Sequence, residues 1–151
     1  MDVLSVEVPR NENRGVTISI NGHGLLELVR RIEFPHAKRE GSPSIAGKYR
    51  GLPVESVFFP SRHLLGEPNP YWSDGDNRPY ILICDCEEPG CWSLSVKISL
   101  EKGIVTWSDF QQEHRQANHL EGQWHYEELG PFQFARARYE QTLAPNAERA
   151  T

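Results

Sequence analysis

The strongest constraint on this chain lies between residues 80 and 107, where three apolar runs are separated by two turns. The runs are YILICDC, CWSLSVKISL and IVTW, joined by EEPG and EKG. In the middle run Trp92, Leu94, Val96 and Ile98 alternate with Ser93, Ser95, Lys97 and Ser99. Successive side chains of a strand point to opposite faces, so a period of two describes a strand with one face in a core. The EEPG segment suits a hairpin, and Lys102-Gly103 supplies a second turn. A three-stranded antiparallel meander is expected.

Helical periodicity occurs on either side of it. In LLELVRRIE, Leu25, Leu28, Val29 and Ile32 share one face, while Glu27, Arg30 and Arg31 turn to solvent. This helix is expected near 24–33, with Pro35 ending or kinking it, because proline lacks an amide hydrogen and crowds the preceding turn. A second helix is expected over Ala135–Leu143, burying Tyr139 and Leu143, with Pro145 as its stop. Asp2–Val8 and Val16–Ile20 read as strands, the latter ending at the turn signal Asn21-Gly22. Short strands are also expected at Glu55–Phe59, in GQWHYEEL with Trp124 and Tyr126 on one face, and at Phe132–Phe134. Residues 41–54 and 66–79 are rich in proline and glycine and read as loops. Residues 111–121 read as a loop or an exposed helix. The resulting fold class is α+β: a single domain over residues 1–144, a mainly antiparallel sheet, two or three helices, and a frayed tail over 145–151.

The 151 residues are 38% hydrophobic and 25% charged, enough apolar material for one core of ordinary size. Acidic residues exceed basic ones, 21 against 16. That balance disfavours a nonspecific partner such as nucleic acid or an anionic membrane, both of which call for a basic surface. No run of 18 apolar residues suggests a membrane span. The start, MDVLSVEVPRNENRG, lacks the basic and apolar regions of a signal peptide, so a cytoplasmic location is expected.

Cys84, Cys86 and Cys91 are the only cysteines. An odd, clustered set does not resemble an extracellular disulfide framework, and it fits a reducing compartment. If Cys86 and Cys91 flank the EEPG turn as a cross-strand pair, Cys84 lies opposite Ser93. Alternation then places all three thiols on one face at one end of the hairpin. Three readings follow. The cysteines are inert space-fillers under a loop. Or they hold a structural zinc together with a histidine, since soft sulfur and imidazole suit that ion. Or they form a reversible Cys86–Cys91 disulfide or a reactive thiol, although the acidic neighbours Asp85, Glu87 and Glu88 should raise a thiol pKa. His63, His114, His119 and His125 are the histidines in reach, and His114 is the working fourth ligand. The C-x-C-x4-C spacing also occurs in the post-SET segment of lysine methyltransferases, but the order of the remaining pieces here excludes that family.

Other patterns fail on inspection. GSPSIAGKY has the wrong glycine spacing for a phosphate loop, and Tyr49 replaces its metal-binding hydroxyl. Asp74, Asp76 and Asn77 hint at a calcium loop, but Arg78 and Pro79 stand where a ligand and a glycine belong. His63, in SRHLLG, reads as a partly buried histidine bonded to backbone rather than a base. With no complete catalytic motif, the leading expectation is a non-catalytic interaction or binding protein with a protein partner. The alternatives are a zinc-supported domain and a thiol- or histidine-dependent enzyme.

Several segments taken together resemble a family of small bacterial proteins of no established activity. They are SINGHGLLELVRRIEFP, SIAGKYRGL, PSRHLLG, ICDCEEPGCW, VTWSDFQQEHR and LGPFQFARARYEQTL. The chain departs from that family at Glu87, where a glycine is expected, and at Ala135, where an aspartate cap is expected. The resemblance implies one α+β domain and no particular chemistry.

Overall fold

The structure is a computed structural model that describes residues 1–10, 15–86 and 88–145. Glu87 of the EEPG segment and residues 146–151 of the expected tail lie outside them. Two antiparallel sheets and two α-helices share one hydrophobic core. The first sheet has the order β1 (Leu4–Glu7), β2 (Thr17–Ile20), β3 (His23–Gly24). Asn21 and Gly22 join β2 to β3 with φ of 55° and 82°. These left-handed values suit an Asn-Gly hairpin turn. The second sheet runs β4 (Tyr49–Arg50), β5 (Tyr80–Cys84), β6 (Leu94–Glu101), β7 (Ile104–Gln112), β8 (Phe132–Ala135). Helix α1 spans Leu25–Arg39 and α2 spans Arg136–Leu143. Among the described residues no helix is long and apolar enough to cross a membrane.

The meander is present as β5, β6 and β7, with Lys102 and Gly103 at its second turn. Its middle strand is more deeply covered than expected. Ser93 and Ser95 are buried together with Leu94 and Val96. Hydrogen bonding makes this tolerable: Ser95 Oγ donates to the Gln111 carbonyl at 3.3 Å and accepts from Arg78 Nε at 3.3 Å. The seam between the sheets is close backbone contact. Val16 N–H donates to the Leu52 carbonyl at 2.9 Å, and a Cβ on Gly51 would lie 1.8 Å from the Val16 oxygen.

Four expectations are corrected. Helix α1 runs through Pro35 to Arg39. Pro35 is on the exposed side, while Ala37 on the opposite side is fully buried, and that burial offsets the cost of the proline. Residues 55–59 form no strand. Val54–Ser56 is a 3-10 turn, and the consecutive residues Val57 and Phe58 are both buried, which an alternating strand with one covered face does not allow. Part of the 41–54 segment is strand β4, not loop. GQWHYEEL alternates as expected, with Trp124 and Tyr126 buried, but it is an extended strap without a strand partner. Residues 113–121 continue from β7 as turns rather than a helix.

Glu33 ties these parts together. It is fully buried on α1 and accepts from Gly47 N–H at 2.8 Å, Tyr49 OH at 2.5 Å and Tyr126 OH at 2.6 Å. Tyr49 OH in turn accepts from Gln112 Nε2 at 2.9 Å. Burial pushes the Glu33 carboxyl above its ordinary range, opposed by the Tyr126, Tyr49 and Gly47 donors. A raised native pKa means that Glu33 contributes stability fully below the unfolded glutamate value of about 4.3. That contribution is lost as the pH rises through the native value. Replacing Tyr126 by Phe removes one donor and raises the native value further. Urea unfolding at pH 7 should then show a loss of about 1.5–3 kcal/mol, the range for hydrogen bonds to charged groups. The loss should be smaller near pH 4. Equal losses at both pH values would show that Glu33 does not ionise between them.

Candidate metal centre

Strand β5 ends at Cys84, which pairs with Tyr49 of β4. On its other side the ladder to β6 has already closed at Leu82 and Leu94. Cys84 N–H donates instead to Ser93 Oγ at 3.2 Å. The described part of the segment between Cys84 and Leu94 is therefore a loop, not a tight hairpin. Its hydrogen-bonded turn is Glu88-Pro89-Gly90-Cys91, closed by Cys91 N–H to the Glu88 carbonyl at 3.0 Å. Cys86 and Cys91 are not a ladder pair, so the expected register is corrected. The gathering of the thiols occurs nonetheless. The sulfurs of Cys84, Cys86 and Cys91 all lie within 4.8 Å of one another. All three cysteines are free thiols, Cys84 buried and the other two exposed.

The sulfurs of Cys84 and Cys86 are 2.8 Å apart, and Cys86 N–H also faces the Cys84 sulfur at 3.4 Å. Burial, reinforced by the neighbouring Cys86 and Cys91, pushes the Cys84 thiol up to about 12. Cys86 is shifted down, chiefly by the Cys84 thiol and then by the Glu88 amide. The acidic neighbours were expected to raise this thiol. Hydrogen bonds aimed at an exposed sulfur outweigh them, because charges on exposed side chains are screened by water.

None of the four histidines belongs to the group of ligand atoms found among the described residues. His63 is fully buried; its Nδ1 accepts from Asn69 N–H at 3.1 Å, so Nε2 donates to the Tyr80 carbonyl at 2.9 Å. That is the backbone-bonded role expected for it. His114 Nε2 donates to the Gly90 carbonyl at 2.8 Å, and its ring stacks on Trp92 with centroids 6.1 Å apart. His114 thus clamps the cysteine loop through its backbone. His119 Nδ1 accepts from Gln116 N–H, and His125 faces Glu127.

The three cysteines form one wall of a cleft of about 500 Å³, whose other walls are Ile45, Lys48, Asp85, Trp92 and Arg115. Arg115 is stacked 5.0 Å from the Trp92 ring centre and 5.6 Å from that of Trp124. Its guanidinium meets Glu40 at 3.1 Å, and Trp124 Nε1 donates to the same carboxylate at 2.6 Å. Sequence reading missed Ile45, Lys48 and Arg115, which lie far from the cysteines in the chain. The one usable signal was charge, a lysine in a proline-rich loop, which is too common to single out.

Iodoacetamide labelling should separate the thiols. Cys86 should react fastest, with an apparent pKa below that of an ordinary thiol, and Cys84 slowest. Replacing Cys84 by Ala removes the thiol facing Cys86 and should move its labelling profile upward. An unchanged Cys86 profile in that variant would dissociate the two sulfurs.

Comparison with known protein families, curated proteins and solved structures finds no match to this chain.

Proposed function

We propose that this protein is a non-catalytic binding module that holds one soft metal ion, zinc in the first instance, on Cys84, Cys86 and Cys91. The observation that carries this reading is the convergence of the three sulfurs within 4.8 Å. Zinc–sulfur bonds of about 2.3 Å at tetrahedral angles imply sulfur separations of about 3.8 Å. The Cys84–Cys86 pair, at 2.8 Å, has to open by about 1 Å, and the other separations already lie within 4.8 Å. Cys86 and Cys91 sit in a loop, where side-chain rotation achieves this without disturbing a ladder. Such a site needs reduced thiols, which suits the cytoplasm, and the resembled family would make it a bacterial one.

The thiol chemistry also argues for binding over catalysis. A nucleophile is activated by a base within reach or by a lowered pKa, and no histidine is placed to supply the first. His63 is sealed in the core, and the His114 Nε2 is committed as a donor. A divalent ion, by contrast, replaces the protons of all three sulfurs at once.

Protein purified under reductant without chelator should carry roughly one equivalent of zinc; less than about a tenth would defeat the reading, because structural zinc survives purification. Cys86→Ser and Cys91→Ser should each weaken zinc binding more than about 100-fold, since changes outside the ligand set alone cost about 10–100-fold. Circular dichroism should stay unchanged, as both residues are exposed. Affinity should rise steeply with pH, because metal must displace the thiol protons, including that of Cys84 at about 12.

A further inference from the structure

Three sulfurs do not complete the four-ligand shell that zinc adopts. Among the described residues no histidine or carboxylate joins the group. All three cysteines border the same cleft. An ion held among them therefore keeps its remaining coordination face toward that space. We infer that the cleft admits a small thiol carrying a carboxylate, whose sulfur becomes the fourth ligand and whose carboxylate meets Lys48. This inference rests on the metal reading above.

The size and chemistry of the walls argue for that class. A volume of about 500 Å³ falls within the range of small-molecule sites. Ile45 and Trp92 offer apolar surface for a short carbon chain. Soft ions bound by thiolate prefer a further sulfur to oxygen. Three thiolates and a divalent ion sum to a charge of −1, and Asp85 borders the same cleft, so a further thiolate and a carboxylate require positive charge nearby. Lys48 supplies it, as an exposed side chain on the cleft wall. Arg115 contributes less, because Glu40 already neutralises it at 3.1 Å. Binding is a substitution: the ligand S–H bond breaks, its proton passes to buffer, and a metal–sulfur bond replaces a metal–water bond. Nothing is oxidised or reduced.

Cobalt(II) makes the test readable, because its visible bands report the ligand set. Cobalt is first titrated alone; failure to bind here removes the metal reading itself and is seen before any thiol is added. The cobalt-loaded protein is then titrated with 3-mercaptopropionate, its S-methyl analogue and 2-mercaptoethanol, with retention of cobalt checked by equilibrium dialysis. The expected result is a stronger sulfur-to-metal band and a shifted visible band with 3-mercaptopropionate, no change with the S-methyl analogue, and cobalt retained. Lys48→Ala should weaken 3-mercaptopropionate by roughly three- to fivefold, the scale of one exposed ion pair, and leave 2-mercaptoethanol and cobalt affinity unchanged. Bound cobalt with an unaltered spectrum at saturating thiol, or extraction of cobalt in place of a ternary complex, overturns the inference. Equal binding of 3-mercaptopropionate before and after Lys48→Ala overturns its carboxylate half.

Discussion

A carboxylate buried without a cation among its hydrogen-bond partners is expensive, and Glu33 is held by three donors from two separate parts of the chain. Gly47 and Tyr49 approach from the segment leading into β4, and Tyr126 approaches from the extended strap. Gln112, at the end of β7, supports Tyr49 from behind. Removing the acceptor would take from the buried Tyr49 and Tyr126 hydroxyls and the half-buried Gly47 amide the oxygen they donate to, and a buried donor left unpaired costs about 1–3 kcal/mol. The strap has no strand partner, so the Tyr126–Glu33 bond is joined by Trp124 Nε1 to Glu40 and His125 N–H to His36 Nε2, and these bonds with the burial of Trp124 and Tyr126 fix it against α1.

The cleft inherits its shape from that anchor. Tyr49 pairs directly with Cys84, so the residue that touches Glu33 also sets where the buried thiol sits. Ile45 and Lys48 belong to the short stretch that Tyr49 terminates. On the opposite wall, Arg115 is held by Glu40, the residue just beyond α1. Continuation of α1 past Pro35 is thus a condition of the site. An interior proline costs about 3 kcal/mol or more. Here the burial of Ala37 and the Glu40 bonds to Arg115 and Trp124 offset it. A helix stopping at residue 34 would leave Arg115 stacked on two indoles with no carboxylate to orient it.

Much of this frame was legible in the sequence where local rules govern. The alternation in β6, the Asn-Gly and Lys-Gly turns, and the Tyr139–Leu143 spacing all led to elements that formed. What could not be read depended on partners distant in the chain. On α1 the apolar residues pointed to a face through Leu25, Leu28, Val29 and Ile32. That face does meet the core, with Leu28 and Ile32 half-buried, but the fully buried stripe is Leu25, Val29, Glu33 and Ala37, four apart throughout. The glutamate hides in that stripe because its donors lie 14 to 93 positions away. The cysteines show the same limit. Strand alternation was expected to place Cys84 and Cys86 on one side, but the strand ends at Cys84 and a turn brings Cys86 to it. That Cys91 joins them from a turn one residue later than EEPG, clamped by the His114 ring, followed from tertiary contacts alone.

The distribution of satisfied and unsatisfied polar groups singles out the cleft. Buried Ser95, Gln112 and His63 are all hydrogen-bonded within the protein. Tyr139 accepts from Trp107 Nε1 and donates to the Leu64 carbonyl. Among the described residues the buried side-chain atom without a partner is Nε1 of Trp92, which borders the cysteine cleft. A buried donor left in that state costs about 1–3 kcal/mol, a large share of a typical domain's net stability. At the same cleft, two sulfurs crowd to 2.8 Å, and the exposed one ionises more easily because the other faces it. Among the described residues, side-chain bonding is complete in the core and falls short beside this cleft.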